Sequence, residues 1–175
     1  MRGSSSARTI YIIRYSIANM KELNLPAYAV KLSGTREKPL IFDILRRRYV
    51  ALTPEEWVRQ HFIHFLIEHK GYPISLLANE VKLSVGEKTL RADSVLYSNT
   101  LMPKMIIEYK APHITITQQV FDQISNYNLL LHVDYLIVSN GLQHYVCKMD
   151  YDGKKYLFLE DIPGYEELLT NSSSH

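Results

Sequence analysis

The sequence predicts an α/β fold, a mixed central β-sheet flanked by α-helices. Three observations predict it. Apolar residues recur first at helical spacing and then at strand spacing, in the order helix, three strands, helix, strands. The second helical stretch stands between two apolar strand patterns, "IIEYK" and "YLIVS", where a crossover joining parallel strands belongs. The chain has 175 residues, 46% of them hydrophobic, which suits one domain with a core of useful size.

Residues 1–19, opening "MRGSSSAR", read as a disordered N-terminal extension, residues 20–168 as a single domain, and residues 169–175 as a polar tail ending "TNSSSH". Two short apolar stretches follow from residue 28, "YAVKLS" and "PLIFDILRRRYVAL"; the second carries Arg46, Arg47 and Arg48, which read as a solvated face or as phosphate contacts. In "TPEEWVRQHFIHFLIEHKGYP", Thr53 suits an N-cap and Pro54 the first helical position, while Glu55 and Glu56 favour the positive helix N-terminus. Lys70, Gly71 and Pro73 end this helix. Val58, Phe62, Phe65, Leu66 and His69 make one stripe along it, with Glu55 on the same stripe. Trp57 reads as a core or interface anchor, and His61, His64 and His69 as packing or surface residues.

Three strand patterns come next, "SLLANEVKLSV", "TLRADSVLYS" and "PKMIIEYKA", separated by turn signals around Gly86 and Asn99. "ITITQQVFDQISNYNLLLH" reads as the second helix, with Val120, Ile124, Tyr127 and Leu131 at its apolar spacing. "VDYLIVSNG" and "LQHYVCKMD" read as a hairpin on an Asn-Gly turn, and "KYLFLED" as a further strand.

Composition narrows the function classes. A net charge of +2 and a pI of about 8.5 are compatible with nucleic acid without pointing to it. One cysteine, Cys147, excludes an intrachain disulfide, and no Cys/His cluster has zinc spacing; a reducing cytoplasm is the expected location. No apolar run is long enough for a membrane span, so no membrane partner is expected, and the N-terminus lacks the pattern of a signal peptide. "VGEKTL" contains Gly-x-Lys-Thr, but no glycine-rich phosphate loop precedes it.

The residues that carry chemistry are Asp93, in "LRADSVLY", and Glu108 and Lys110, in "MIIEYKAP". Glu108 and Lys110 are two apart on a strand and share a face. If the strands are hairpin neighbours, Asp93 meets Glu108. Two adjacent carboxylates repel unless a proton or a cation compensates them. Magnesium is the natural guest, since hard cations take carboxylate oxygens and leave positions for water and phosphate. Lys110 would then orient a water or stabilise charge on phosphorus. The same three residues also read as a structural ion-pair group at a sheet edge.

"RADSVLY" followed by "IIEYKAP" resembles the PD-(D/E)XK nuclease pattern, with Ala92 where the proline of the name would stand. Together with "TPEEWVRQHFIHFLI", "VFDQISNYN" and "YLIVSNG", the chain from about residue 23 to 165 resembles the N-terminal nuclease domain of type I restriction enzyme R subunits. The resemblance implies a restriction-endonuclease-like fold and DNA phosphodiester hydrolysis with Mg2+ or Mn2+. Asp93 and Glu108 would bind the metal and Lys110 would be catalytic. An acidic residue of the first helix would complete the site; Glu55 and Glu56 both qualify, and Glu55 is preferred for the face it shares. The Gln-x-x-x-Tyr motif of that group corresponds to Gln123 and Tyr127, which would support the site or contact DNA. DNA is the implied partner, with a separate motor or specificity subunit and a homodimer as further partners. A module that keeps the fold and binds DNA or a partner subunit without cutting is the alternative.

Overall fold

The computed structural model describes residues 20–153 and 155–170, without the side chains of Val85, Lys88, Gln123 and residues 125–130. The expected extension, residues 1–19, lies outside the described residues. A short helix, α3 (Tyr165–Thr170), runs two residues into the segment expected as tail.

Residues 28–51, read from the sequence only as two apolar stretches, fold into a sheet of their own. Strands β1 (Leu32–Gly34), β2 (Pro39–Asp43) and β3 (Arg48–Ala51) form an antiparallel meander. Leu32, Ile41 and Leu52 bury against Trp57, whose indole N–H donates to the Lys21 carbonyl at 3.1 Å. Trp57 is thus a core anchor, joining the small sheet to the helix that follows it.

That helix, α1 (Pro54–His69), starts as the sequence predicts. Thr53 is extended, and its Oγ1 accepts the Glu56 N–H at 3.0 Å. Thr53→Ala leaves that N–H unpartnered and is expected to cost about 1 kcal/mol of unfolding free energy. A denaturant midpoint equal to wild type would show that the cap contributes nothing.

The buried face of α1 differs from the expected stripe. Val58, Phe62 and Leu66 are fully buried, but His69 is exposed. Glu56, Arg59, Gln60 and His61 are buried as well. The helix is enclosed on several sides over its first half because the small sheet covers one flank and the large sheet another, so a single apolar stripe understates what is buried.

The large sheet has six strands in the order β4 (Leu77–Val85), β5 (Lys88–Tyr97), β6 (Pro103–Tyr109), β7 (Tyr135–Ser139), β8 (His144–Asp150) and β9 (Lys155–Phe158). A one-turn 3-10 helix, Ile74–Leu76, leads into it. All neighbours are antiparallel except β6 and β7, which pair in parallel with Ile107 opposite Ile137. The connection between them is α2 (Gln118–Leu131), so the crossover inferred from the sequence is present. α2 begins four residues later than its pattern suggested. Ile116, before its first turn, is instead buried under the sheet, and Phe121 rather than Val120 is the most deeply buried of its described apolar residues. The β7–β8 turn uses Gly141 at φ 81, with Asn140 Oδ1 accepting the N–H groups of Leu142 and Gln143.

Strand alternation divides the core. Met105, Ile107 and Tyr109 of β6 face α1, packing with Phe62 and Leu66. Ile106 faces the α2 side, with Phe121, Leu136 and Val138. Glu108 falls on the α2 side and ends up polar where the apolar layer runs out. No helix among the described residues is long and apolar enough to cross a membrane.

Candidate active site at the splayed end of β5 and β6

The β5–β6 ladder ends at Ser94 opposite Ile107. One step further, Asp93 and Glu108 stand across from each other, and side chains replace the backbone ladder. Asp93 Oδ2 accepts the Tyr109 N–H at 2.9 Å, and Glu108 Oε1 lies 3.4 Å from the Asp93 N–H. The β4–β5 ladder is also interrupted here. Its pairs run from Asn79–Ser94 to Val81–Ala92 and skip Glu80 and Asp93. Asp93 therefore sits where β5 releases both neighbours, and the gap opens toward α2.

Glu108 and Lys110 line that gap, a cleft of about 450 Å³. Ile106, Val120 and Ile124 form its apolar wall, and Arg91 completes its polar rim. The Lys110 backbone N–H donates to the Ser139 carbonyl at 2.9 Å, extending the parallel pairing one residue beyond β6. Among the described residues the Lys110 side chain makes no ion pair within 4 Å, although its charge is felt by Glu55 and Glu108.

Burial, then the Asp93 charge, then direct contact with Asp93 push the Glu108 carboxyl up to about 8. This environment favours the protonated form of Glu108. Of the two helix carboxylates, Glu55 is half-buried. Burial and then the Asp93 charge raise it above the usual carboxylate range, opposed by Lys110 and Arg59. Glu56 is the more buried and is committed elsewhere: its oxygens take both the Arg46 guanidinium, at 3.1 Å, and Gln60 Nε2, at 2.8 Å. Arg46 also pairs with the buried Asp43, so it is not part of a solvated arginine face, whereas Arg47 and Arg48 are exposed.

The sequence reading passed over two residues that organise the site. Arg59 is 3% exposed and pairs with three carboxylates: Asp93 Oδ1 at 3.0 Å, Glu80 Oε1 at 2.5 Å and Glu56 Oε2 at 3.4 Å. Its guanidinium also lies over the Tyr109 ring, 5.6 Å from the centroid. These partners hold it firmly protonated against the pull of burial. Glu80 adopts φ 56 in the middle of a strand, a conformation that costs an acyclic side chain about 1–3 kcal/mol and is held only by surrounding structure. Its two oxygens divide between Arg59 and Arg91. The signal for Arg59 was present: it sits four after Glu55, three after Glu56 and three before Phe62, on the buried side. An arginine is read as solvent-facing unless its partners are known, and those partners come from other strands.

The Gln123 and Tyr127 side chains lie outside the described residues. Among the described residues, no three His, Cys, Asp or Glu side chains converge as a closed metal cage requires. The donor set suits a more open site. Asp93 and Glu108 offer hard oxygens in contact with each other, and of the two only Asp93 pairs with Arg59. A divalent cation would supply the missing positive charge. One or two carboxylates plus waters and substrate phosphates is how magnesium is commonly held. The residues therefore fit the ion.

A family model described as "Type I restriction enzyme R protein N terminus (HSDR_N)" matches residues 54–163. Among solved structures, a fragment of a putative HsdR subunit of a type I restriction enzyme from Vibrio vulnificus YJ016 is similar at 19% identity and a TM-score of 0.50. The match covers 69% of this chain and 25% of that one. It shows the fold, which is restriction-endonuclease-like. A DrdV–DNA complex aligns at 16% identity and a TM-score of 0.40, covering 67% of this chain and 12% of that one. No curated protein matches the chain. The chain thus spans about a quarter of the length of the first structure it resembles.

Proposed function

The chain belongs to the family of type I restriction enzyme R protein N termini, and from that premise we propose that it hydrolyses DNA phosphodiester bonds with Mg2+ or Mn2+. The observation that carries this reading is the contact of Asp93 with Glu108 across β5 and β6, with Lys110 lining the same cleft as Glu108. Asp93 and Glu108 would hold the ion through their carboxylate oxygens, with Glu108 giving up its proton. The ion, when bound, polarises the phosphate and lowers the pKa of the attacking water. Lys110 has no competing ion pair among the described residues and would orient that water or meet charge developing on the phosphate. Glu55 faces the same field of charge from α1 and would complete the site. Arg59 and the Tyr109 N–H each take one Asp93 oxygen and fix the carboxylate's orientation. Gln123 and Tyr127 would support the site or contact DNA.

One observation favours a second reading. Asp93 already has a buried cation in Arg59, and burial beside Asp93 favours the neutral form of Glu108, so the pair is tolerable without metal. A module that binds DNA or a partner subunit without cutting needs nothing more. Calorimetric titration of Mg2+ and Mn2+ at pH 8 into wild type and into the Asp93→Ala, Glu108→Ala double variant separates the two. Binding by wild type that the double variant loses supports the hydrolase. Equal absence of heat in both, at millimolar metal and with a DNA duplex present, would make the non-cutting module the better reading.

A further inference from the structure

We propose that Arg91 is the residue that grips the DNA backbone beside the phosphate to be cut, and that Glu80 is the anionic rest on which Arg91 waits when no DNA is bound. The inference rests on the DNA-hydrolysing reading and names the residue that reads the substrate's charge.

Arg91 is two residues before Asp93 on β5, and the two are linked through Glu80, which holds Arg91, and Arg59, which pairs with both Glu80 and Asp93. Arg91 lines the same cleft as Glu108 and Lys110. Its side chain is 71% exposed, which leaves the guanidinium accessible to a large ligand. Both Nε, at 2.8 Å, and the terminal nitrogen donate to one oxygen of Glu80. Both nitrogens converge on a single carboxylate oxygen here, and the same planar fork can take two oxygens of a phosphate.

Glu80 explains why this arginine can be released. An exposed carboxylate–arginine pair contributes little on its own, because solvent screens it and two long side chains lose freedom. The strained backbone at Glu80 is therefore held by its other oxygen, at 2.5 Å from the buried Arg59. If Arg91 leaves, Glu80 keeps a cation and stays in place. A DNA phosphate carries one negative charge, as Glu80 does, so the guanidinium exchanges one anion for another at little net cost. Lys110 lines the same cleft and supplies a second positive group for a phosphodiester backbone. Without Arg91 the charged residues lining the cleft, among the described residues, would be Glu108 and Lys110 alone.

The test is equilibrium binding of a fluorescein-labelled DNA duplex by anisotropy, in EDTA so that no cutting occurs, from 50 to 300 mM salt. It uses wild type, Arg91→Ala, Arg91→Lys and, as a control on the far edge strand of the sheet, Lys155→Ala. Arg91→Ala is expected to bind about 5- to 20-fold more weakly at 100 mM salt, with the slope of log K against log salt reduced by about 1. Arg91→Lys should keep the slope, since it keeps the charge. Lys155 is exposed on β9, the edge strand four places from β5, and its variant should match wild type. If wild type binds and Arg91→Ala binds with the same slope, the Arg91 assignment is overturned while the DNA reading survives. If wild type does not bind DNA even at 50 mM salt, both fall together. Circular dichroism of each variant guards against misfolding, and a folded Arg91→Ala with unchanged affinity counts against the proposal.

Discussion

Lys110→Ala is expected to reduce DNA hydrolysis at least about 100-fold while leaving the melting temperature within about a degree of wild type. The rate loss follows from the proposed role. A cationic donor placed where charge develops on the phosphate, in a cleft partly shielded from water, contributes on the order of 10²–10³ in rate. The unchanged stability follows from geometry. Among the described residues Lys110 makes no ion pair, its backbone bond to Ser139 does not depend on the side chain, and the group lines an open cleft. The measurement is nicking of supercoiled plasmid in Mn2+ alongside thermal unfolding. A variant that nicks as fast as wild type removes Lys110 from the chemistry. A variant that has lost both activity and stability would mean that the side chain is structural. Asp93→Ala is a poorer probe of chemistry, because it strips Arg59 of a partner and the Tyr109 N–H of its acceptor.

Glu108→Gln is expected to stabilise the protein at alkaline pH while abolishing divalent-ion binding. Burial, then the Asp93 charge, push the Glu108 carboxyl up to about 8, from an ordinary value of 4.5. Between those two values the native state holds a proton that the unfolded chain has lost, so wild-type stability falls as pH rises through this window. Below about 4.5 both states are protonated and the effect vanishes; above about 8 both are ionised and the penalty is complete. Glutamine has the same shape, cannot ionise and so never meets the Asp93 charge as an anion. The gap in unfolding free energy between Gln and wild type should open from pH 5, reach roughly 2–5 kcal/mol by pH 8.5, and then level off. Urea unfolding of both proteins from pH 5 to 9 measures it. Parallel curves across that range would show that Glu108 is not held above its ordinary value. A site residue that costs stability in order to hold a cation is the expected signature of function, since a purely structural pair would be optimised toward the opposite sign. An ion-pair group of structural purpose would also have Lys110 against Glu108, whereas Lys110 makes no such pair among the described residues.

Most of the architecture was legible because it depends on local pattern. The strand periods of 77–85, 88–97 and 103–109, the Thr53 cap and the Asn140–Gly141 turn each express preferences of a few neighbouring residues. The crossover was legible for a topological reason: two apolar strands joined by a helix pair in parallel. The small sheet of residues 32–51 was not legible as a sheet. Its strands are three to five residues long, too short for a period to stand out.

The sequence by itself determined the mixed α/β class, the three-residue set Asp93, Glu108 and Lys110, and the likeness to restriction enzyme R subunits, because all of these are written in residues close along the chain. Tertiary structure alone decided how those residues are charged. The neutral form of Glu108 is favoured because the fold buries it and β5 brings Asp93 across from it. Arg59 is a buried clamp rather than a surface arginine because Glu80 and Asp93, from two other strands, close around it. Glu80 holds φ 56 because the ladder skips it opposite Asp93. Such burial and charge balance depend on partners brought together from distant parts of the chain, and no local pattern contains them.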